Sequence, residues 1–127
     1  AEDALTGMTS NPTIFEKALA EGAAYDEQLA TVDTAASDRE AFFTLAATDV
    51  RNACDAFRGV YERTAAVDGY VSLEVSPDLA RDAAGTVAEA RRLWAIVDRP
   101  NLMIKVPGTI EGAEAIRWMM DRKALGK

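Results

Sequence analysis

The sequence predicts an α/β protein, a partial (β/α)8 TIM barrel of about three parallel strands with flanking helices. Short segments with the two-residue period of strands alternate with longer segments of helical period, in the order strand, one or more helices, strand, helix, strand, helix. This order favours a parallel sheet with right-handed crossovers. No Gly-rich phosphate loop follows a predicted strand, which disfavours a doubly wound fold. A closed barrel needs about 250 residues, so residues 1–127 are expected to form a single incomplete barrel domain.

The first predicted unit is a strand within ALTGMTSNP and the helix that follows it. Asn11 and Pro12 are typical of a helix cap and of a first helical position. The narrow apolar face of this helix is expected at Phe15, Ala18 and Leu19, and its end at Gly22. A further short helix is predicted over about 25–29. Because the chain starts without Met and enters this strand almost at once, we expect another element to precede it.

A helical region is predicted over residues 38 to 64. Ser37 and Glu40 have the spacing of a capping box. Apolar side chains then recur at helical spacing, at Phe42, Phe43, Ala46, Val50, Ala53, Cys54, Phe57 and Tyr61. The pattern fits either one helix or two, with a break near Thr48 and Asp49 in the second case.

The second and third predicted strands each precede a helix. Residues 71–75 alternate apolar and polar side chains after an Asp-Gly turn, and NLMIKV at 101–106 predicts the next strand. The helix between them is expected to start at Ser76-Pro77 and to stop before Pro100. Its buried stripe is predicted at Leu79, Ala83, Val87, Ala90, Trp94 and Val97. PGTIEGAEAIRWMM at 107–120 predicts the last helix.

Polar residues at the carboxyl ends of these strands form a candidate active site. Alternation turns Glu74 and Lys105 to the face opposite the helices, while Thr9, Ser10 and Asn11 follow the first strand. Parallel barrels build their active sites at this end of the strands. Lost hydration disfavours the charged form of a lysine, and the neutral amine can then attack a carbonyl to form a Schiff base. A carboxylate can manage protons through a water, and an amide can bind a substrate hydroxyl.

Each of these residues also has a structural interpretation. Lys105 and Glu74 could form a structural ion pair, and Asn11 could serve only as a cap. Gly108-Thr109 fits an anion site at a helix start or a plain turn and cap. Cys54 is expected to fill the core. The larger aromatic residues are expected to be core or docking residues, at Phe42, Phe43, Trp94 and Trp118.

Composition and charge argue against several classes of protein. The formal net charge is -7, from 14 Lys plus Arg and 21 Asp plus Glu, which disfavours a nucleic-acid or anionic-membrane surface. No apolar run of about 18 residues predicts a membrane span, and no leader is visible. The single cysteine permits neither a disulfide framework nor a cysteine metal site, which fits a reducing cytoplasm. The chain has no histidine, the commonest general base and metal ligand.

Three separated segments resemble one known family. GMTSNPTIFEKAL at 7–19, DGYVSLEVSPDLA at 68–80 and RPNLMIKVPGT at 99–109 are similar to segments of transaldolases of the actinobacterial and cyanobacterial type, in the same order. The resemblance runs from about residue 3 to about residue 117, and residues 118–127 are atypical of it. It implies that the chain holds about strands two to four of a class I aldolase-type barrel.

The resemblance also implies a reaction. A dihydroxyacetone unit would pass through a lysine imine from sedoheptulose 7-phosphate or fructose 6-phosphate to glyceraldehyde 3-phosphate or erythrose 4-phosphate, in the non-oxidative pentose phosphate pathway and with no metal or organic cofactor. Motif by motif, Lys105 matches the imine-forming lysine, and Glu74 matches the glutamate that works through a catalytic water. Asn11 matches the asparagine that contacts substrate, with Thr9 and Ser10 as pocket-lining hydroxyls.

Other parts of the family's site are expected outside this chain. They are an aspartate on the first barrel strand, which Asp3 does not represent, and later residues that include the phosphate-binding serine and arginines. We therefore expect the isolated chain to be inactive or nearly so. Two rival functions remain: a related aldolase of the fructose 6-phosphate aldolase kind, which releases a free product, and a non-catalytic half-barrel that associates with a second copy through exposed sheet edges.

Overall fold

The computed structural model describes residues 5–21, 25–30 and 37–124, which form a three-stranded parallel sheet with flanking helices. The elements in chain order are β1 (Gly7–Thr9), α1 (Pro12–Glu21), α2 (Asp26–Leu29), α3 (Asp38–Arg63), β2 (Tyr70–Glu74), α4 (Ala83–Val97), β3 (Leu102–Lys105) and α5 (Ile110–Ala124), with a 3-10 turn at Pro77–Leu79. The strand order is β1-β2-β3, and both strand pairs are parallel. The predicted class and strand arrangement are confirmed.

The core lies between the sheet and helices α3 and α4. Val71 and Leu73 of β2 and Leu102 of β3 are at most 2% exposed. They pack in one cluster with apolar side chains of the two helices, namely Phe43, Ala46, Ala47, Val50 and Cys54 of α3 and Ala90, Leu93 and Val97 of α4. The predicted alternation of β2 and β3 is therefore confirmed, since this apolar set faces the helices.

Helix α3 runs without interruption, so the alternative with a break near Thr48 and Asp49 is wrong. Thr48 donates its hydroxyl to the Thr44 carbonyl at 3.0 Å, which satisfies the polar side chain inside the helix. At the start of the helix, the Ser37 hydroxyl accepts from the Glu40 amide at 3.3 Å, and the Glu40 carboxylate accepts from the Ser37 amide at 2.9 Å. The predicted capping box is confirmed.

Helix α4 begins later than predicted. Ser76-Pro77 initiates only the 3-10 turn, and α4 itself starts at Ala83 after an Asp82 cap that accepts from the Gly85 amide at 2.8 Å. Proline at the start of a helical turn carries the same signal whether the turn is 3-10 or α, which explains the error. The end of α4 is as predicted, with Asp98 in the left-handed conformation at φ 49°.

Trp94 does not belong to the buried stripe of α4. Its side chain is 48% exposed, and Leu93, at 0%, lies in the core in its place. Leu93 continues the three- and four-residue spacing from Ala90 to Val97, so both choices fit a helical period. Trp118 of α5 is also 42% exposed, so neither tryptophan is a core residue.

Phe15 of α1 is buried, at 8% exposed. The side chains of Ala18 and Leu19, predicted to share its face, lie outside the described part, as do Asp3 and Gly22. Within residues 5–21, 25–30 and 37–124, no helix is both long and apolar enough to span a membrane.

Candidate active site

The strand register places three of the five predicted site residues, Thr9, Glu74 and Lys105, in two adjacent rows. Glu74 of β2 and Lys105 of β3 are direct partners. Two residues earlier, Ser72 is the partner of both Thr9 on β1 and Met103 on β3. Residues two apart on a strand share a face, so both rows lie on the side of the sheet opposite the helical core.

The Lys105 amine lies at the meeting point of all three strand ends. Its Nζ is 3.1 Å from Glu74 Oε2 and donates a hydrogen bond to the Ser10 carbonyl at 3.1 Å. The two charged side chains are 40% and 25% exposed, respectively. The apolar neighbours of Lys105 in sequence indicate a buried side chain, but among the described residues this side chain is 40% exposed. Met103, on the same face of β3, is also exposed, at 53%.

The hydroxyls of Thr9 and Ser10 fasten the end of β1 to β2. Ser10 is 3% exposed and donates its hydroxyl to the Ser72 carbonyl at 2.6 Å. The Thr9 and Ser72 hydroxyls are 2.8 Å apart. The Ser10 hydroxyl is thus engaged within the protein, and the Ser10 carbonyl is the group that contacts the amine.

Asn11 caps helix α1. Its Oδ1 accepts a hydrogen bond from the Ile14 amide at 2.9 Å, which confirms the predicted cap. Asn11 lies two residues beyond Thr9, after the end of β1 and directly before α1. Since the cap engages the oxygen, a substrate contact would be made by the Nδ2 amino group.

A model of the family described as Transaldolase/Fructose-6-phosphate aldolase matches residues 1–123, which include all five predicted site residues. The chain belongs to the transaldolase/fructose-6-phosphate aldolase family. The predicted resemblance is confirmed, and the parallel three-stranded sheet fits a part of this family's barrel.

Curated relatives that carry the name transaldolase support the same assignment. The chain is 59% identical over 117 residues to the transaldolase of Thermobifida fusca, and the match covers 91% of this chain and 32% of the relative. It is 53% identical over 120 residues to that of Thiobacillus denitrificans, covering 94% and 33%. For Trichodesmium erythraeum the identity is 47% over 113 residues, covering 88% and 30%. The chain thus spans about a third of the length of these relatives.

Glu89 of α4 contacts the chain two residues after Glu74, and the sequence analysis did not identify it. It is 7% exposed, and its carboxylate accepts a hydrogen bond from the Ser76 amide at 2.6 Å. Its place three residues after Thr86 and four before Leu93 puts a carboxylate on the buried stripe of α4. That position is a sequence signal that could have identified it, because a buried carboxylate requires partners.

Three further features do not involve the amine. A surface cavity of about 400 Å³ is lined by all three residues of β1, including the predicted site residue Thr9, and by residues at the start of β2, whereas neither Lys105 nor Glu74 lines it. Cys54 is 0% exposed, and burial raises the pKa of its thiol to about 11. The thiol therefore fills the core, as predicted. At the start of α5, Thr109 accepts from the Gly112 amide at 3.0 Å, which is the predicted plain cap.

Proposed function

We propose that this chain is the imine-forming part of a transaldolase. The complete protein transfers a dihydroxyacetone unit from sedoheptulose 7-phosphate or fructose 6-phosphate to glyceraldehyde 3-phosphate or erythrose 4-phosphate. The observation that carries the proposal is the 3.1 Å approach of Lys105 Nζ to Glu74 Oε2 at the carboxyl ends of parallel strands. The names of the curated relatives support the same reaction.

Lys105 acts as the nucleophile in this proposal. Its neutral amine attacks the ketone carbon of the donor sugar, a carbon–nitrogen bond forms, and the carbinolamine loses water to give an imine. The protonated imine accepts the electron pair of the carbon–carbon bond that lies one carbon beyond the imine carbon. The hydroxyl on the far carbon of that bond gives up its proton to a base expected outside this chain, and the aldehyde product leaves. The remaining enamine attacks the acceptor aldehyde, and water then releases the new ketose and the free amine.

Glu74 manages the protons of these steps. It lies close enough to take a proton from the amine, and it acts on the carbinolamine through a water. Asn11 contacts the substrate, and Thr9 and Ser10 line the pocket. The proposal uses no metal or organic cofactor.

We also propose that the complete protein acts in the cytoplasm, in the non-oxidative pentose phosphate pathway, on sugar phosphates rather than on nucleic acids or membranes.

In the described sheet β1 and β3 are the outer strands, and Met8 of β1 is 41% exposed. In the isolated 127-residue chain, such edges favour pairing with a second copy. Sedimentation velocity tests this homo-oligomer, and a monomer at all concentrations would exclude it.

Acceptor dependence of turnover tests the function. A complete protein that contains this segment is incubated with fructose 6-phosphate, with and without erythrose 4-phosphate. A transaldolase turns over only with the acceptor present. Release of free dihydroxyacetone without acceptor would instead identify the aldolase reaction that the family description also covers. The 127-residue chain on its own is expected to show little or no turnover, and a normal rate would contradict that prediction.

A further inference from the structure

A buried carboxylate joins three elements beside the candidate site. Glu89 Oε2 accepts the Ser76 amide at 2.6 Å, and Oε1 lies 2.6 Å from the Arg39 guanidinium of α3. A second guanidinium, that of Arg92, lies 3.7 Å from the same Oε1 and 5.3 Å from the centre of the Phe43 ring. A carboxylate that is 7% exposed is retained only with such partners, so its position is closely determined.

The Ser76 amide connects this carboxylate to the end of β2. Ser76 is two residues after Glu74, and the intervening Val75 is 0% exposed. The Val75 amide donates to the Lys105 carbonyl at 3.1 Å. Residues 75 and 76 are therefore held on two sides, by β3 through one amide and by α4 through the next. Rotation of the backbone at Glu74 would break both bonds.

We propose that Glu89 is a positioning residue that keeps the Glu74 carboxylate within reach of the Lys105 amine. The effect of Glu89 on catalysis rests on the proposed function. The coupling of Glu89 to Glu74 and Lys105 does not depend on that function. Glu89 acts through the Ser76 amide and touches neither the substrate nor the amine. A role confined to joining α3 and α4 would affect stability but would leave the reactivity of Lys105 unchanged.

Competitive acetylation of Lys105 across a pH series, read by peptide mass spectrometry, tests the coupling in the 127-residue chain. Glu74→Gln removes the ion pair, and the amine should be acetylated about two- to fivefold faster, as expected for a partly exposed pair. Glu89→Gln should raise the rate in the same direction. The double variant should be no faster than Glu74→Gln, because both changes act on one contact.

Glu62→Gln is the matched control. Glu62 also pairs with an arginine, Arg58, at 2.6 Å, but its side chain is 60% exposed on α3. This variant should leave the Lys105 acetylation profile unchanged. The proposal is overturned if Glu89→Gln matches the wild type while Glu74→Gln does not, or if the effects of the two changes multiply in the double variant.

A measurement on the wild-type chain covers the case in which Glu89→Gln does not fold. Amide hydrogen exchange should show Ser76 protected together with the β2 amides. Exchange as fast as that of an exposed loop amide would overturn the proposal. Failure of the proposed function looks different: the acetylation coupling would be intact, while no imine could be trapped at Lys105.

Discussion

Some contacts of Lys105 could be predicted from the sequence, and others could not. Its pairing with Glu74 follows from sequence, because residues two apart share a strand face and parallel strands end at the same edge of a sheet. Its contact with the Ser10 carbonyl could not be predicted, since a backbone acceptor has no side-chain signal. The same holds for the link from Glu89 to the Ser76 amide, which joins residues on different elements.

Glu74→Gln should slow imine formation at Lys105. Although loss of the ion pair frees the amine by about two- to fivefold, the amide cannot exchange protons with the carbinolamine as it loses water. General acid–base groups contribute about 10²–10⁴-fold to rates, so the slower step decides. The rate is measured as borohydride-trapped adduct with dihydroxyacetone, in the wild type and the variant. Glu62→Gln, which removes an exposed carboxylate from α3, is the control and should react like the wild type. Equal rates for Glu74→Gln and wild type would contradict the role of Glu74.

Asn101 is a buried polar residue that stabilises the fold. It is 0% exposed, and its amide Nδ2 donates to the Cys54 carbonyl at 2.8 Å and to the Gly69 carbonyl at 2.9 Å. It thereby ties α3 and the start of β2 to the start of β3. Removing the Asn101 side chain leaves both carbonyls without this donor.

Asn101→Ala should therefore lower the free energy of unfolding by about 1–3 kcal/mol. Urea unfolding followed by circular dichroism measures the change. Asn52→Ala, at an exposed position of α3, is the control and should stay within about 0.5 kcal/mol of the wild type. A loss for Asn101→Ala no greater than that of the control would show that these hydrogen bonds contribute nothing.

At the level of elements, boundaries were harder to predict than existence. All three strands and the main helices follow from the period of the apolar residues. The start of α4 does not, because the proline signal marks a 3-10 turn six residues earlier. The choice between Leu93 and Trp94 depends on packing against α3 and the sheet, which a helical period alone cannot determine.

The capping box of α3 gives a prediction at this scale. Ser37→Ala should destabilise the chain by about 0.5–2 kcal/mol, because the first-turn amide loses its acceptor. Thermal unfolding measures the effect. Thr44→Ala removes another exposed hydroxyl of α3, one that bonds only within the helix, and should be nearly neutral. Equal effects of the two variants would contradict the contribution of the cap.

The same box should make stability depend on pH. Hydrogen bonds from the Ser37 amide and hydroxyl hold the pKa of the Glu40 carboxyl below its ordinary value. The contribution of Glu40 is therefore present above the pKa of the unfolded state and is lost as the pH falls through the lower folded-state pKa. Unfolding curves of the wild type and Glu40→Gln at several acidic pH values should converge as the pH falls. Curves that stay parallel would contradict this assignment.

For the whole molecule, the fold class was predictable because the order of strand and helix periods admits few topologies. The described sheet has the order β1-β2-β3, with the helical core on one face and the candidate site on the other. The apolar neighbours of Lys105 in sequence predict a buried side chain, but this side chain is 40% exposed, because those neighbours alternate with it on the opposite face of β3.

Imine formation at Lys105 tests the central claim most directly. The chain is incubated with dihydroxyacetone or fructose 6-phosphate, reduced with borohydride and digested, and the adduct is located by peptide mass spectrometry. Lys17, an exposed lysine of α1, is the internal control. We predict an adduct on Lys105 that is absent from Lys17 and from a Lys105→Met variant. An adduct shared equally with Lys17, or no adduct on Lys105, would contradict the account.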